Sequence, residues 1–113
     1  MDCLFCKIRD GELPAAIIHE DERCLAFRDI NPQAPMHFLV VPRRHIPTLL
    51  DLTDDDDALV GHLHGVAVKL AREAGQADAG FRTVFNCNRA AGQSVWHLHM
   101  HVLGGRGLTW PPG

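Results

Sequence analysis

The chain has 113 residues and a formal net charge of −3, with 46% hydrophobic and 22% charged residues. This composition is typical of a globular protein, the length predicts a single domain over residues 1–113, and the slight acidity argues against a DNA or RNA partner. The sequence begins without the basic and apolar regions of a secretory leader, and no apolar run is long enough to cross a bilayer. We therefore expect a cytoplasmic protein with no membrane partner.

The first half of the sequence predicts one short helix and three strands. A helical turn over 4–8 is followed by strands over 16–19 and 24–30, which a charged hairpin turn joins. A loop with two prolines precedes the nearly continuous apolar run 37–41, which predicts a central strand that Pro42 ends.

The second half predicts one long helix over 54–74. Thr53 is its expected N-cap, and Asp56 forms an imperfect capping box with it. The acidic run 54–57 fits the positive end of the helix dipole better than a metal cluster, because consecutive residues in one turn do not converge. Gly75 is the expected C-cap. The predicted buried stripe of this helix consists of Leu59, Leu63, Val66 and Leu70.

Two further strands, over 81–86 and 96–103, are joined by a polar loop that contains glycine. Together these elements predict an α+β fold, with five strands in an antiparallel sheet, one short helix and one long helix. Cys24 and Cys87 are expected to be small buried residues of strands.

The segment His97-Leu98-His99-Met100-His101 carries most of the functional signal. Alternate residues of a strand point to one face, so the three imidazoles are expected side by side, while Leu98, Met100 and Val102 enter a core. Imidazole titrates near neutral pH, so such a row suits either metal binding or proton-transfer and nucleophilic chemistry.

The remaining cysteines and histidines give weaker signals. Cys3-x-x-Cys6, in a chain without signs of secretion, indicates a metal-binding or redox motif rather than a disulfide. No βαβ pattern surrounds it, which argues against a thioredoxin-like redox role. His19, His62 and His64 are interpreted as surface or half-buried side chains.

The triad segment resembles the signature of the histidine-triad (HIT) superfamily, in which His-x-His-x-His is followed by apolar residues. Segments 29–35, 37–42, 92–95 and 110–113 also match in family order. The Gly-Gln-Ser element and the Trp-Pro-Pro-Gly tail are similar to the Hint branch, the purine nucleoside phosphoramidases. The resemblance implies a homodimer whose two five-stranded sheets join into one ten-stranded sheet. It also implies hydrolysis of purine nucleoside 5′-phosphoramidates, AMP or GMP linked to an amine, through a nucleotidyl-histidine intermediate.

The resemblance assigns catalytic roles to the triad and to two further residues. His99 would be the nucleophile, with the carbonyl of His97 holding the proton-bearing nitrogen of its ring. His101 and Ser94 would donate hydrogen bonds to the phosphate and help to protonate the departing amine. His37 matches a family histidine behind the triad, where it would relay protons or fix a tautomer.

The resemblance also assigns nucleotide contacts. Asp29 would accept hydrogen bonds from the ribose hydroxyls, and Asn86 would lie near the phosphate and the ribose. Trp110 would belong to a tail that crosses to the other subunit's active site. The implied purine slot consists of Phe5, Ile8, Phe27 and Ile30. The implied phosphate loop, which would cradle the anion with main-chain N–H groups, consists of Gly92, Gln93, Ser94 and Val95.

Cys3 and Cys6 are candidates for a zinc site, since zinc commonly takes two ligands from a Cys-x-x-Cys motif and two from elsewhere. His45 and His97 would complete a Cys2His2 set, and a subset of bacterial HIT proteins looks like this. We expect such an ion to be structural, and catalysis to require no cofactor. The competing interpretation is a pair of ordinary thiols.

Three alternative functions are compatible with the sequence. A dinucleoside polyphosphate hydrolase of the same superfamily is the first, and the Gly-Gln-Ser and Trp-Pro-Pro-Gly elements argue against it. A metal-binding protein that holds one ion with His97, His99 and His101 is the second. The third is a nucleotide-binding interaction module with little turnover, which the presence of His99 disfavours.

Overall fold

The computed structural model describes residues 3–113, so the first two residues of the predicted 1–113 domain lie outside the described part. In chain order its elements are α1 (Leu4–Arg9), β1 (Ile17–Glu20), β2 (Cys24–Arg28), β3 (Met36–Pro42), α2 (Asp57–Glu73), β4 (Phe81–Phe85) and β5 (Met100–Gly104). The five strands form one antiparallel sheet in the order β1-β2-β3-β5-β4, which confirms the α+β prediction. Within residues 3–113, no helix has the length and apolar character needed to cross a membrane.

The sheet separates two apolar cores, because alternate residues of each strand point to opposite faces. On one face α2 packs against β2, β3 and β5, and on the other α1 packs against β2 and β3. Leu63, Val66 and Leu70 are buried as predicted, whereas Leu59 is only partly buried at the edge of its core. The buried residues of β3 divide accordingly, with Met36, Phe38 and Val40 toward α2 and Leu39 and Val41 toward α1.

The pairing of β3 with β5 brings two predicted catalytic histidines together. Leu39 lies opposite His101 in this ladder, and His37 lies opposite Leu103. His37 and His101 are therefore diagonal neighbours on the face that carries α1. Their ring centroids are 5.2 Å apart. Regular sheet pairing, rather than a loop, thus positions both imidazoles.

The ends of the long helix differ from the prediction over 54–74. A 3₁₀ turn, Asp54–Asp56, precedes α2, and the backbone N–H of Thr53 donates to Asp56 Oδ2 over 2.9 Å. The C-cap is Ala74, and Gly75 follows it with a φ of +75°. The left-handed conformation at that glycine ends the helix. Gly75 therefore lies one position beyond the C-cap and not at the C-cap as predicted.

Asp56 forms an ion pair in addition to its place at the start of the helix. Its side chain is buried and pairs with the Arg44 guanidinium, which holds the pKa of the carboxyl below its usual range. One member of the acidic run thus anchors the loop that follows β3.

The last strand starts at Met100 and not at position 96 as predicted. The main chain before it bends, and the backbone N–H of Leu98 donates to the Ile46 carbonyl over 2.6 Å instead of joining the sheet. Of the triad histidines, only His101 lies in a strand. Leu98, Met100 and Val102 nevertheless enter the core under α2, as predicted.

The other strand bounds lie within two residues of the predicted ones. Cys24 is buried in β2, in agreement with the prediction. The prediction for Cys87 was wrong, because β4 ends at Phe85 and Cys87 is a half-buried residue of the following loop.

Candidate active site

A cavity of about 650 Å³ opens beside the triad on the α1 face of the sheet. It collects most of the predicted site residues: Phe5, Ile8, Phe27, Asp29, Ile30, Asn86, Gly92, Ser94, Val95, His99 and His101. Its wall also includes apolar residues that sequence reasoning missed: Leu4, Leu13, Pro14, Ala15 and Leu39. The signal for Leu39 was available, since it alternates with His37 along one strand.

His99 is held as a neutral imidazole with one free nitrogen toward the cavity. Its Nδ1 lies 2.8 Å from the carbonyl oxygen of His97, so Nδ1 carries the proton and donates it. Nε2 then keeps the lone pair. Burial lowers the pKa of His99 below the ordinary imidazole value, and the Phe5 ring lies edge-on at 5.1 Å between centroids. A neutral, oriented imidazole of this kind is a competent nucleophile.

A chain of hydrogen bonds fixes the tautomer of His101. The backbone N–H of Gln33 donates to His37 Nδ1 over 2.9 Å, so the ring proton of His37 sits on Nε2. That nitrogen lies 2.9 Å from His101 Nδ1 and donates to it. His101 must therefore carry its own proton on Nε2. Burial, followed by the charges of His99 and His37, lowers the pKa of His101 to about 4.

These two tautomers are complementary. His99 offers a lone pair on Nε2, and His101 offers an N–H on Nε2, while the two ring centroids are 5.1 Å apart. A nucleophile and a hydrogen-bond donor thus face one cavity side by side. Sequence reasoning identified both histidines but not the role of the Gln33 backbone N–H. This group sets the direction in which the hydrogen bonds run from His37 to His101.

Asp29 lies where β2 has ended, with its carboxylate at the cavity. One oxygen, Oδ1, accepts from the backbone N–H of Asn31 over 2.9 Å, which fixes the orientation of the group. The other, Oδ2, lies 3.3 Å from His37 Nε2 and 3.9 Å from His101 Nδ1. An oriented carboxylate at the rim of an apolar cavity suits the recognition of neighbouring hydroxyl groups.

The loop before β5 contributes only part of the predicted phosphate cradle. Gly92 has a φ of +91°, a conformation that favours glycine, and Ser94 is exposed at the cavity. Gln93 is buried instead: its amide accepts from the Asn88 N–H and donates to the carbonyls of Pro47 and Val95. The side chain of Gln93 therefore braces the loop and does not line the cavity.

Two other predicted contacts lie at or beyond the rim. Ile30 lines the cavity but is 98% exposed, so it forms an open edge and not a closed wall of a purine slot. Trp110 is 82% exposed and is not among the lining residues. Arg82 of β4 donates to the carbonyls of Leu108 and Thr109, which fixes the tail just before that tryptophan.

The predicted zinc ligands Cys3, Cys6, His45 and His97 do come together. His97 Nδ1 lies 3.3 Å from Cys3 Sγ, 3.5 Å from Cys6 Sγ and 3.3 Å from His45 Nδ1. All four ligand atoms lie within 4.8 Å of one another. Ligands placed tetrahedrally about 2.0–2.3 Å from zinc are roughly 3.3–3.8 Å apart, so this spacing fits the ion.

The protonation of His97 also suits a metal ligand. Its Nε2 lies 2.7 Å from the Pro42 carbonyl oxygen and donates to it, which leaves the lone pair on Nδ1, toward the two cysteines. Such a second hydrogen bond is usual for a histidine that binds a metal. Burial lowers the pKa of His97 to about 4, so the ring stays neutral.

The triad is therefore divided between two tasks. The His97 ring belongs to the cysteine cluster, and its carbonyl orients His99, whereas the rings of His99 and His101 face the cavity. The bend before β5 is the physical reason. Among the described residues, the three triad rings do not form one ligand group, which removes the basis for a single ion held by all of them.

Comparison with known proteins agrees with this arrangement. The HIT domain family model matches residues 10–108. The chain is 51% identical over 112 residues to an uncharacterised HIT-like protein of Synechococcus elongatus. This alignment covers 99% of this chain and 97% of the relative.

Solved structures give the same result. A HIT family hydrolase from Legionella pneumophila is similar with a TM-score of 0.97 and 53% identity, covering 99% of this chain and all of that one. A Zn-bound histidine triad family protein from Mycobacterium smegmatis has a TM-score of 0.81 and 35% identity, covering 94% of this chain and 76% of that one. With its triad geometry, its fold and its sequence in agreement, this chain belongs to the HIT domain family.

Proposed function

We propose that the protein is a hydrolase that cleaves the P–N bond of purine nucleoside 5′-phosphoramidates, such as AMP linked to an amine. The observation that carries the proposal is the complementary pair in one cavity, a lone pair on His99 Nε2 beside a proton on His101 Nε2. The similarity to a HIT family hydrolase supports hydrolysis as the reaction class.

In this mechanism, His99 Nε2 attacks phosphorus and the P–N bond breaks, which forms a nucleotidyl-histidine. The departing amine needs a proton, because an amide anion is a poor leaving group. The neutral His101 ring and the exposed hydroxyl of Ser94 line the cavity, where they would donate hydrogen bonds to the departing nitrogen and pass to it a proton that they regain from solvent. In the second step, water gives its hydroxyl to phosphorus as the bond from phosphorus to His99 Nε2 breaks. The remaining proton of the water passes through the same groups to solvent, and the nucleoside monophosphate leaves with His99 restored.

The cavity also accounts for substrate binding. Phe5 and Phe27, whose rings meet edge-on with centroids 5.3 Å apart, offer an apolar wall to a purine. Asp29 lies at the rim beside the catalytic histidines and would receive the ribose hydroxyls. The backbone N–H groups of Gly92 and Gln93 donate within the loop, to the carbonyls of Arg89 and Asn88, so the loop would contact the phosphate from Ser94 onward.

The test uses an adenosine 5′-phosphoramidate with a fluorescent amine, in the presence of a chelator. We expect turnover by the wild type and a loss of at least about 10³-fold in kcat/KM for His99→Ala. His64→Ala, which changes an exposed histidine of α2, is the matched control and should retain activity. A wild type that leaves the amide intact but cleaves a dinucleoside polyphosphate would replace this proposal with the alternative hydrolase. A fully active His99→Ala would refute the nucleophile assignment.

We also propose that Cys3, Cys6, His45 and His97 hold a structural zinc ion. The ligand spacing and the Zn-bound relative from Mycobacterium smegmatis support this. The ion would join α1, the loop after β3 and the segment that carries His97, whose carbonyl orients His99. Removal of zinc should lower the melting temperature of the wild type but not that of Cys6→Ser, as measured by thermal unfolding with and without chelator.

Finally, we propose that the protein is a homodimer. β4 forms one edge of the sheet, and an edge strand can pair with a second copy of itself about a twofold axis. Light scattering should then give twice the chain mass of 12.5 kDa, and a monomer at catalytic concentrations would overturn this assembly.

A further inference from the structure

A second group of metal-ligating side chains lies on the opposite face of the sheet from the cysteine cluster. His19 comes from β1, Asp21 from the hairpin turn, Cys24 from the start of β2 and His62 from α2. Cys24 is part of the core under α2, whereas Cys3 and its neighbours belong to the core under α1. The two groups are therefore separate sites.

The four side chains converge on one carboxylate oxygen. His19 Nε2 and His62 Nε2 each lie 2.7 Å from Asp21 Oδ2, and Cys24 Sγ lies 3.5 Å from it. The ligand atoms of His19, Asp21 and Cys24 all lie within 4.8 Å of one another, whereas His62 Nε2 is close to Asp21 Oδ2 but not to all three. Two imidazoles that direct the same nitrogen at one oxygen are not explained by helix or strand packing alone.

The hairpin holds the carboxylate in place. Asp21 Oδ1 accepts from the backbone N–H groups of Arg23 and Cys24, over 2.8 and 2.9 Å, which turns Oδ2 toward the histidines. The nearby Arg43 does not occupy Oδ2: its Nε donates to the Asp21 carbonyl, and its Nη2 lies 3.8 Å from Glu20. The oxygen is thus oriented by the backbone, and among residues 3–113 its side-chain partners are the candidate ligands named above.

We propose that His19, Asp21, Cys24 and His62 form a second transition-metal site, of the kind that takes Zn²⁺ or Co²⁺. Two imidazole nitrogens, one carboxylate oxygen and one sulfur are the donors these ions accept in tetrahedral geometry. Cys24 is fully buried and forms the inner wall, while the side chains of Asp21 and His62 are 26% and 30% exposed and leave a path for the ion.

Binding requires a rearrangement that brings His62 Nε2 within ligand distance of the other three donors. Without a metal, the two histidines donate their Nε2 protons to Asp21 Oδ2. A tetrahedral ion separates nitrogen and oxygen ligands by roughly 3.3 Å, so each imidazole must retreat by about 0.6 Å and carry its proton on Nδ1 instead of Nε2. The Cys24 thiol, which donates to Asp21 Oδ2 without a metal, must lose its proton to solvent. The ion would then join the β1–β2 hairpin to the middle of α2.

The experiment measures Zn²⁺ bound per chain after loading and gel filtration, by elemental analysis. His62→Gln should bind one ion fewer per chain than the wild type, and its matched control His64→Gln, an exposed histidine of the same helix, should equal the wild type. This difference holds whether or not the Cys3 cluster retains its own zinc. Equal stoichiometry in His62→Gln and His64→Gln overturns the proposal.

A second measurement needs no variant. Co²⁺ titrated into the wild type should shift or broaden the ring resonances of both His19 and His62 in the NMR spectrum. Cys24→Ser should weaken Co²⁺ binding at this site by at least about 10-fold, because it removes the thiolate ligand. If both sets of ring resonances stay unchanged at saturating Co²⁺, the cluster is a hydrogen-bonded clasp only and the metal site is refuted.

Discussion

Acidification should destabilise this protein through His101, and the size of the effect follows from the structure. Burial, then the charges of His99 and His37, lowers the pKa of this imidazole from 6.5 to about 4 in the folded state. In the unfolded chain the pKa of His101 returns to about 6.5. Between about pH 6.5 and pH 4 the unfolded state therefore binds a proton at His101 that the folded state does not bind. The contribution of His101 to stability is therefore complete above pH 6.5, is lost progressively as the pH falls toward 4, and changes no further below that.

Each pH unit in this window corresponds to about 1.4 kcal/mol per imidazole. Between about pH 6.5 and pH 4.5 the two units give close to 3 kcal/mol, and partial protonation of the folded state reduces this to about 2 kcal/mol. The pKa values of His37 and His99 are also lowered by burial, so they act in the same direction and increase the total loss in the wild type.

The measurement is the free energy of unfolding in urea at about pH 7 and about pH 4.5. His101→Gln removes the titrating ring, so its free energy should change between the two pH values by about 2 kcal/mol less than that of the wild type. The comparison uses the pH dependence and not the absolute stability, because the variant also loses a hydrogen bond to His37. His64→Gln is the control and should follow the wild type. If His101→Gln shows the full pH dependence of the wild type, burial does not hold this ring neutral.

Two other substitutions test the site and the fold. Asp29→Asn should raise KM for a nucleoside phosphoramidate about 10-fold with a smaller change in kcat, because it weakens hydrogen bonds to the ribose and not to the reacting group; an unchanged KM in steady-state kinetics would contradict that role. Gly105→Ala should lower the free energy of unfolding by about 1–3 kcal/mol in urea, since φ is +89° there and an added Cβ would lie 2.9 Å from the Pro35 Cβ. Gly107→Ala, where an added Cβ meets nothing within 4 Å, should change it far less, and equal losses would refute the steric explanation.

Local periodicity was sufficient to predict the elements of this fold. The nearly continuous apolar run 37–41 describes a strand buried on both faces, and the stripe of α2 describes a helix packed on one core; both are information contained in a short window of sequence. The strand that carries the triad was placed too early for the opposite reason. Its start depends on the bond from Leu98 to Ile46, and nothing in the local sequence records a contact with a loop so far away in the chain.

For the candidate site, too, some features could be predicted from the sequence and others could not. Residue types and family motifs identified His99, His101 and the four cysteine-cluster ligands. They did not reveal which way the side chain of Gln93 turns, since it faces the loop interior and not the cavity. The grouping of His62 with Asp21 was also invisible, since the two are 41 residues apart and meet only when α2 packs on the sheet.

The contact between the His97 carbonyl and His99 has a consequence for how this family can change. A main-chain acceptor is present whatever side chain is attached to it, so mutation at position 97 can exchange the ring while the acceptor persists. The orientation of the His99 ring therefore does not depend on whether the side chain at position 97 can bind a metal. Under the proposed mechanism, a lineage can acquire or discard a metal ligand at position 97 and keep the acceptor for His99, provided that the bend in the chain is kept. Position 99 has no such freedom under that mechanism, because the attack on phosphorus requires the imidazole itself.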